Sequence, residues 1–198
     1  MSMSRRNFFR RGAAEAAQGA IKALESLGKG FQAAMKTPAP SLLPYLRPPG
    51  ALDELDFLRA CTRCDACIRD CPHYAVRKAG HDYGPKVQDT PIILPEKAPC
   101  YLCEDLPCIA ACDDGALLPI LSPAATRMGL ARVDATLCYA AQGTDCVICE
   151  ERCPIEPKAI NVTPGIPAQV IESTCTGCGI CAFVCPPHAI DILAAHTL

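Results

Sequence analysis

Apolar residues recur along the chain in two rhythms. Between residues 17 and 35 they follow a helical period. Ala17, Ile21, Leu24, Leu27 or Gly28, Phe31 and Ala34 or Met35 share one face, while Gln18, Lys22, Glu25, Lys29 and Gln32 share the other. The spacing predicts an amphipathic N-terminal helix with a thin apolar face. Beyond residue 50 this rhythm stops, and short pieces alternate apolar and polar residues at strand period, as in Ala131-Arg132-Val133-Asp134 and Gln169-Val170-Ile171-Glu172. Pro38, Pro40, Pro44, Pro48 and Pro49 lie between the two regimes and read as a stiff linker. The expected organisation is an arm over residues 1–36, a Pro-rich linker over 37–50 and a body over 51–198.

The body is an internal repeat. Four cysteine groups run into similar tails: Cys71-Pro72-His73-Tyr74-Ala75-Val76, Cys112-Asp113-Asp114-Gly115-Ala116-Leu117, Cys153-Pro154 through Ala159-Ile160, and Cys185-Pro186-Pro187-His188-Ala189-Ile190. Each ends on Ala followed by an aliphatic residue, the start of a short strand. Loop, short helical turn and short strand, repeated four times, predicts a small, loop-rich α+β fold.

Composition narrows what can hold such a fold together. The chain has 198 residues with 16 Cys, 19 Pro, 5 Phe, 5 Tyr and no Trp, so an ordinary apolar core is thin for its length. Small folds short of core use disulfides or metal. A disordered chain, a collagen-like repeat and a coiled coil are excluded. No run of 18 apolar residues occurs, so no membrane-spanning helix is expected.

The cysteine spacing chooses among the staples. The groups are Cys61, Cys64, Cys67, Cys71; Cys100, Cys103, Cys108, Cys112; Cys138, Cys146, Cys149, Cys153; and Cys175, Cys178, Cys181, Cys185. The first and fourth follow C-x2-C-x2-C-x3-C-P. The second has x4 before its third cysteine, and the third opens with x7. Three cysteines on a tight loop reach three irons of one cubane, and the fourth points away, toward a second cluster. Proline after the fourth ends the turn and has no N–H to satisfy. Zinc sites use two separated C-x2-C pairs, and cysteines at x2 spacing pair poorly as disulfides. All 16 cysteines are therefore expected to bind four [4Fe–4S] clusters. With every ligand position filled by a thiol, His73, His81, His188 and His196 are not expected to be ligands.

Four groups form two bacterial-type 2[4Fe–4S] ferredoxin-like units, and two pairings are open. A tandem order joins groups one with two and three with four; a nested order joins one with four and two with three. The nested order is favoured, because the two standard motifs then form one unit interrupted by the two variant ones. Gly115-Ala116-Leu117 and Ala131-Arg132-Val133-Asp134 read as a strand–turn–strand link between groups two and three, and Pro91-Ile92-Ile93-Leu94-Pro95 as a linker. The strand-like gap between groups three and four counts the other way.

The body resembles the MauM/NapG ferredoxin-type proteins and the iron–sulfur subunits of dimethylsulfoxide-reductase-type enzymes. The stretches that carry the resemblance are Arg47-Pro48-Pro49-Gly50-Ala51-Leu52, Cys61-Thr62-Arg63-Cys64-Asp65-Ala66-Cys67, Pro99-Cys100-Tyr101-Leu102-Cys103-Glu104-Asp105-Leu106-Pro107-Cys108, Cys149-Glu150-Glu151-Arg152-Cys153-Pro154-Ile155 and Cys175-Thr176-Gly177-Cys178-Gly179-Ile180-Cys181. It implies four [4Fe–4S] clusters, electron transfer, nested pairing and a membrane-linked redox chain. Asp113 departs from the pattern, standing where the other three motifs have Pro.

Charge adds the remaining expectations. Residues 1–50 carry eight Lys/Arg against two Glu, and residues 51–198 carry eleven against nineteen acidic side chains. The basic arm suits an anionic surface, and the acidic body argues against nucleic acid. Ser4-Arg5-Arg6-Asn7-Phe8-Phe9-Arg10 resembles a twin-arginine export signal, with Arg5, Arg6, Phe8 and Phe9 its candidate residues. Glu15, Lys22, Glu25 and Lys29 interrupt the stretch C-terminal to it, so the expected location is cytoplasmic and membrane-peripheral, with contact through residues 5–36; twin-arginine export to the periplasm is the alternative. Glu104, Asp105, Asp113 and Asp114 crowd the second group, and Asp113 and Asp114 are candidates for lowering a nearby cluster's potential. No catalytic constellation stands out. The expected function is single-electron relay between redox partners, among them a molybdoenzyme or a quinol-linked membrane protein. A fixed electron-transfer subunit of a molybdenum or tungsten oxidoreductase and a non-redox assembly module with structural metal are the alternatives.

Overall fold

The computed structural model describes residues 45–197. The arm at 1–36, with Arg5, Arg6, Phe8 and Phe9, and the linker up to residue 44 lie outside the described residues. The described residues ahead of position 51 pack with the body. Tyr45, Leu46 and Arg47 are buried, and Leu46 exchanges two backbone hydrogen bonds with Ile93. Pro48 and Pro49 are buried as well, so the end of the expected linker is core.

Two halves follow one another. In the first, α1 (Glu54–Ala60) carries Glu54 and Asp56 in its first turn and Arg59 in its last, in keeping with the helix dipole, and buries Phe57 completely. Next come α2 (Ala66–Arg69), β1 (Val76–Lys78), β2 (Pro91–Ile93) and α3 (Pro107–Ala110). β1 and β2 pair antiparallel with Val76 opposite Ile93, and the half closes where Ala51 bridges Leu117. The second half runs β3 (Gly129–Val133), α4 (Ile148–Glu151), β4 (Ile160–Asn161), β5 (Gln169–Val170), α5 (Ile180–Phe183) and β6 (Ile190–Ala194). β4 pairs with β5, and β3 pairs with β6 from Gly129 opposite Ala194 to Val133 opposite Ile190.

This topology corrects the nested expectation. In the second half the strand before the first cysteine group pairs with the strand after the second, and in the first half the Ala51–Leu117 bridge makes the same closure, so groups one and two close one unit and groups three and four close the other. The Gly115–Leu117 stretch and β3 do not pair with each other. Leu117 turns back to Ala51, and β3 reaches forward to β6. Pro91–Ile93 is no linker but a strand buried throughout. Its proline sits at the first strand position, where the missing N–H costs no ladder bond.

The core is built from small pieces. Leu46, Phe57, Val76, Ile93 and Leu117 from the first half are continuous with Leu130, Ile155, Ile160 and Ile190 from the second, and cysteines fill much of the space between. The four-residue helices pack in pairs, α2 on α3 and α4 on α5. Among the described residues no helix is long and apolar enough to cross a membrane.

Candidate metal centres

The backbone curls each cysteine loop in a repeating way. In group one Arg63 and Asp65 take left-handed conformations (φ 62° each), in group two Leu102 and Leu106 (52° and 43°), and in group four Gly177 and Gly179 (71° and 87°). These positions fall between successive cysteines. Alternating left- and right-handed residues turn consecutive N–H groups into one concavity that suits anions, iron–sulfur clusters among them. Glycine is required at 177 for a second reason: a Cβ there would lie 2.3 Å from the Gly129 nitrogen. Group three reaches its curl differently, through its longer first loop. Thr144 N–H donates to Tyr139 and Gly165 N–H donates to Ala140, fixing that loop beside Cys138.

Each short helix then divides its group. Cys67, Cys108, Cys149 and Cys181 sit within the turns, and the fourth cysteine of each group lies past the end. The result is four cavities with four cysteines apiece. One is lined by Cys61, Cys64, Cys67 and Cys112. A second is lined by Cys71, Cys100, Cys103 and Cys108. A third has Cys153, Cys175, Cys178 and Cys181, and a fourth has Cys138, Cys146, Cys149 and Cys185. The four are alike in size, each with about 20 Å3 of water-accessible space, so the variant motifs build the same space as the standard ones. Each cavity takes three thiols from one group and the fourth from its partner within the same half.

The thiols surround a space rather than a point. All sixteen cysteines are free, and no three His, Cys, Asp or Glu side chains among the described residues are gathered closely enough to share one metal ion. A polynuclear cluster fits such a cavity better than a lone zinc ion. One unsatisfied polar atom supports the same fit. Of the three buried side-chain oxygens without a partner among the described residues, Thr176 Oγ1 carries a proton to donate and lines a cysteine cavity, Thr126 Oγ1 lines none, and Asp65 Oδ1 beside the first cavity can only accept. Thr176 lies against Cys178, whose thiolate it favours. The sequence reading assigned the Thr176 hydroxyl no role.

Electrostatics make these cavities poor hosts for four bare thiolates. Burial first, and then the neighbouring cysteines, push Cys67 up to about 12. Burial does the same for Cys100, to about 12, and for Cys108 and Cys149, to about 11. Cys181 moves up for the same reasons. Burial acts on Cys138 too, but the backbone amides of Ala168, Ala141 and Ala140 outweigh it and hold that thiol below its ordinary value. Iron would supply the missing positive charge and turn the thiols into thiolate ligands. Two N–H groups already point at sulfur: Leu117 N–H donates to Cys112 Sγ at 3.4 Å and Ala189 N–H to Cys185 Sγ at 3.3 Å.

The remaining sequence candidates have defined places. Asp113 and Asp114 are exposed at the end of group two. Asp114 lines the first cavity and accepts a hydrogen bond from the Thr62 hydroxyl at 2.5 Å. Glu104 and Asp105 are exposed as well. The His73 ring, beside the second cavity, stacks on Tyr101 with centroids 4.4 Å apart. His196 stacks on Tyr45 at 4.7 Å. A larger concavity among the described residues is lined by no cysteine. Its charged side chains are largely paired, Arg47 with Glu54, Arg59 with Asp56, and Arg127 with backbone carbonyls.

The chain is similar to known proteins over most of its length. A family profile described as "4Fe-4S binding domain" matches residues 168–191. The methylamine utilization ferredoxin-type protein MauM of Methylobacillus flagellatus is 40% identical over 157 residues, covering 75% of this chain and 66% of the relative. MauM of Paracoccus denitrificans is 36% identical over 170 residues, 80% of this chain and 74% of that protein. The ferredoxin-type protein NapG of Escherichia coli is 39% identical over 152 residues, 71% of this chain and 65% of the relative. The chain thus spans about two thirds of the length of these relatives. No solved structure matches.

Proposed function

The chain belongs to the MauM/NapG family of ferredoxin-type proteins, and from that premise we propose that it carries four [4Fe–4S] clusters and relays single electrons between redox proteins. The observation that carries this reading is the division of sixteen cysteines into four like cavities, each completed across a pair of groups. Cys61, Cys64, Cys67 and Cys112 would hold one cluster, and Cys71, Cys100, Cys103 and Cys108 the next. Cys153, Cys175, Cys178 and Cys181 would hold the third, and Cys138, Cys146, Cys149 and Cys185 the fourth. When bound, each cluster supplies one-electron redox chemistry.

The polypeptide contributes the environment. Leu117 and Ala189 N–H groups stabilise charge on sulfur, the Thr176 hydroxyl beside Cys178 is free to do so, and the buried Cys100, Cys175 and Cys178 keep water from the second and third sites. Asp113 and Asp114 place negative charge near the first site, which lowers its potential. The similarity to ferredoxin-type proteins supports the view that the chain is a carrier rather than an enzyme.

The partners on this reading are redox proteins of a membrane-linked chain, with a molybdoenzyme or a quinol-linked membrane protein as the chemical classes concerned. Contact with the membrane runs through residues 5–36 on the cytoplasmic side. The cluster reading is tested by anaerobic reconstitution and reductive titration, with roughly one electron taken up per cubane site, about four per chain. A chain that takes up none contradicts it. Fusion of residues 1–50 to a reporter active only after export tests location: an active reporter would place the body in the periplasm.

A further inference from the structure

The two halves meet at their inner cavities. The backbone N–H of Cys100 donates to the carbonyl oxygen of Cys178 at 2.9 Å. Among the described residues it is the one hydrogen bond that joins residues 45–118 to residues 129–197. Cys100 belongs to the second cavity and Cys178 to the third, and both are buried. The adjoining loops are shaped for this approach. Gly179 has φ +87°, and a Cβ on it would lie 2.6 Å from Pro95 Cβ. Pro95 opens the turn, closed by Lys97 and Ala98 N–H donating to Leu94, that delivers Cys100. Another contact between the halves, Tyr45 stacked on His196, involves no cysteine.

Within each half the short helices tie the cavities together. Cys67 and Cys71 flank the end of α2 and serve the first and second cavities; Cys149 and Cys153 do the same at α4 for the fourth and third. One end of the resulting row is open, since Cys64 is the exposed cysteine of the sixteen.

We propose that the Cys100–Cys178 hydrogen bond is the electronic junction between the halves, placing the four sites in one row: Cys61/64/67/112, Cys71/100/103/108, Cys153/175/178/181, Cys138/146/149/185. The inference rests on the reading of the cavities as cluster sites. Each exchange along the row oxidises one site by the electron its neighbour gains, so nothing external is consumed within the molecule. Hydrogen-bonded backbone between two ligand residues is a short bonded path, whereas the Tyr45–His196 stack offers none to sulfur.

The test uses the full-length, anaerobically reconstituted chain reduced with dithionite, with iron content and electron paramagnetic resonance as readouts. The unmodified protein is expected to show spin–spin splitting between the halves in addition to that within each half. In Gly179→Ala a methyl group strikes Pro95 and parts the loops. The inter-half component is then lost; Gly179 also curls the loop of the third site, so any loss of iron is read against the double variant, which carries the same backbone strain. Pro95→Gly added to Gly179→Ala restores room while leaving the alanine's backbone strain, and the lost component returns. Full iron loading with no inter-half splitting in the unmodified chain, or with splitting unchanged in Gly179→Ala, overturns the junction and leaves the cluster reading intact. A chain that takes up no iron overturns both.

Discussion

Arg47 grips the Glu54 carboxylate at both oxygens, with Nε 2.8 Å from Oε2 and Nη2 2.6 Å from Oε1. Its remaining terminal nitrogen, Nη1, donates to Thr90 Oγ1 and to the Pro91 carbonyl, each at 2.8 Å, and the guanidinium lies 4.3 Å from the Phe57 ring centroid. One buried side chain thus fastens the leading segment, α1 and the start of β2. That contact explains why the stretch Arg47-Pro48-Pro49 belongs to the body.

Arg47→Ala leaves a half-buried carboxylate with the Tyr45 hydroxyl but no countercharge and the Pro91 carbonyl without its arginine donor, and should cost about 3–5 kcal/mol in anaerobic denaturant unfolding. Arg47→Lys should recover only a minor part, since an ammonium cannot span both carboxylate oxygens and Thr90. The cluster carries a pH signature too. Tyr45 donates to Glu54 Oε1 at 2.9 Å, and burial, joined by that carboxylate, pushes its phenol up to about 12. A raised phenol contributes stability in full below its ordinary value near 10, and loses it as pH rises toward 12. Tyr45→Phe should flatten the alkaline limb of a stability–pH curve.

Cys71→Ser separates tandem from nested pairing. Cys71 shares its cavity with Cys100, Cys103 and Cys108, so the substitution should remove or convert the site of group two. The expected loss is up to about four irons per chain, with the signals of the other three sites retained. A nested protein would lose the site of group four instead. Spectra of Cys71→Ser beside those of Cys100→Ser decide the matter, because both variants should strike the same signal.

Asp113→Asn and Asp114→Asn should raise the potential of the site held by Cys61, Cys64, Cys67 and Cys112. A full charge about 7 Å away at an effective dielectric of about 20 would be worth on the order of 100 mV. Both carboxylates are exposed, so solvent and salt reduce the shift to roughly a few tens of mV. Potentiometric titration at low and high salt checks this, the shift shrinking as salt rises.

Exposure should order the loss of metal. Cys64 is exposed, while Cys100, Cys175 and Cys178 are buried. A ferrous chelator should therefore empty the first site fastest, giving an early phase of about four irons out of about sixteen. Stopped chelation followed by spectroscopy identifies which signal disappears; early loss from an inner site would contradict the assignment.

How much of this could be read in the sequence depends on how local each feature is. Ligand candidates were legible because a cubane imposes spacings of two or three residues, and Cys61-Thr62-Arg63-Cys64 displays them directly. The strands at Ala131–Val133 and Gln169–Val170 were legible from their alternation. Pairing was not, since it depends on Ala51 meeting Leu117 and Gly129 meeting Ala194 across a whole half, and either order satisfies the same local spacing. Pro91–Ile93 was misread because two prolines bracket it, although Pro91 sits where its missing N–H does no harm. Arg47 could not be valued from its neighbours: Glu54 is seven residues on, and Thr90 is forty-three.

The central claim is that these cavities hold iron–sulfur cubes. Its most direct test is the iron and acid-labile sulfide content of the anaerobically reconstituted chain, measured beside its spectrum after dithionite reduction. About sixteen irons and sixteen sulfides per chain, with reducible cubane signals, is the expected result. A folded chain with no iron, or with about one zinc per four cysteines and no reducible signal, would contradict it.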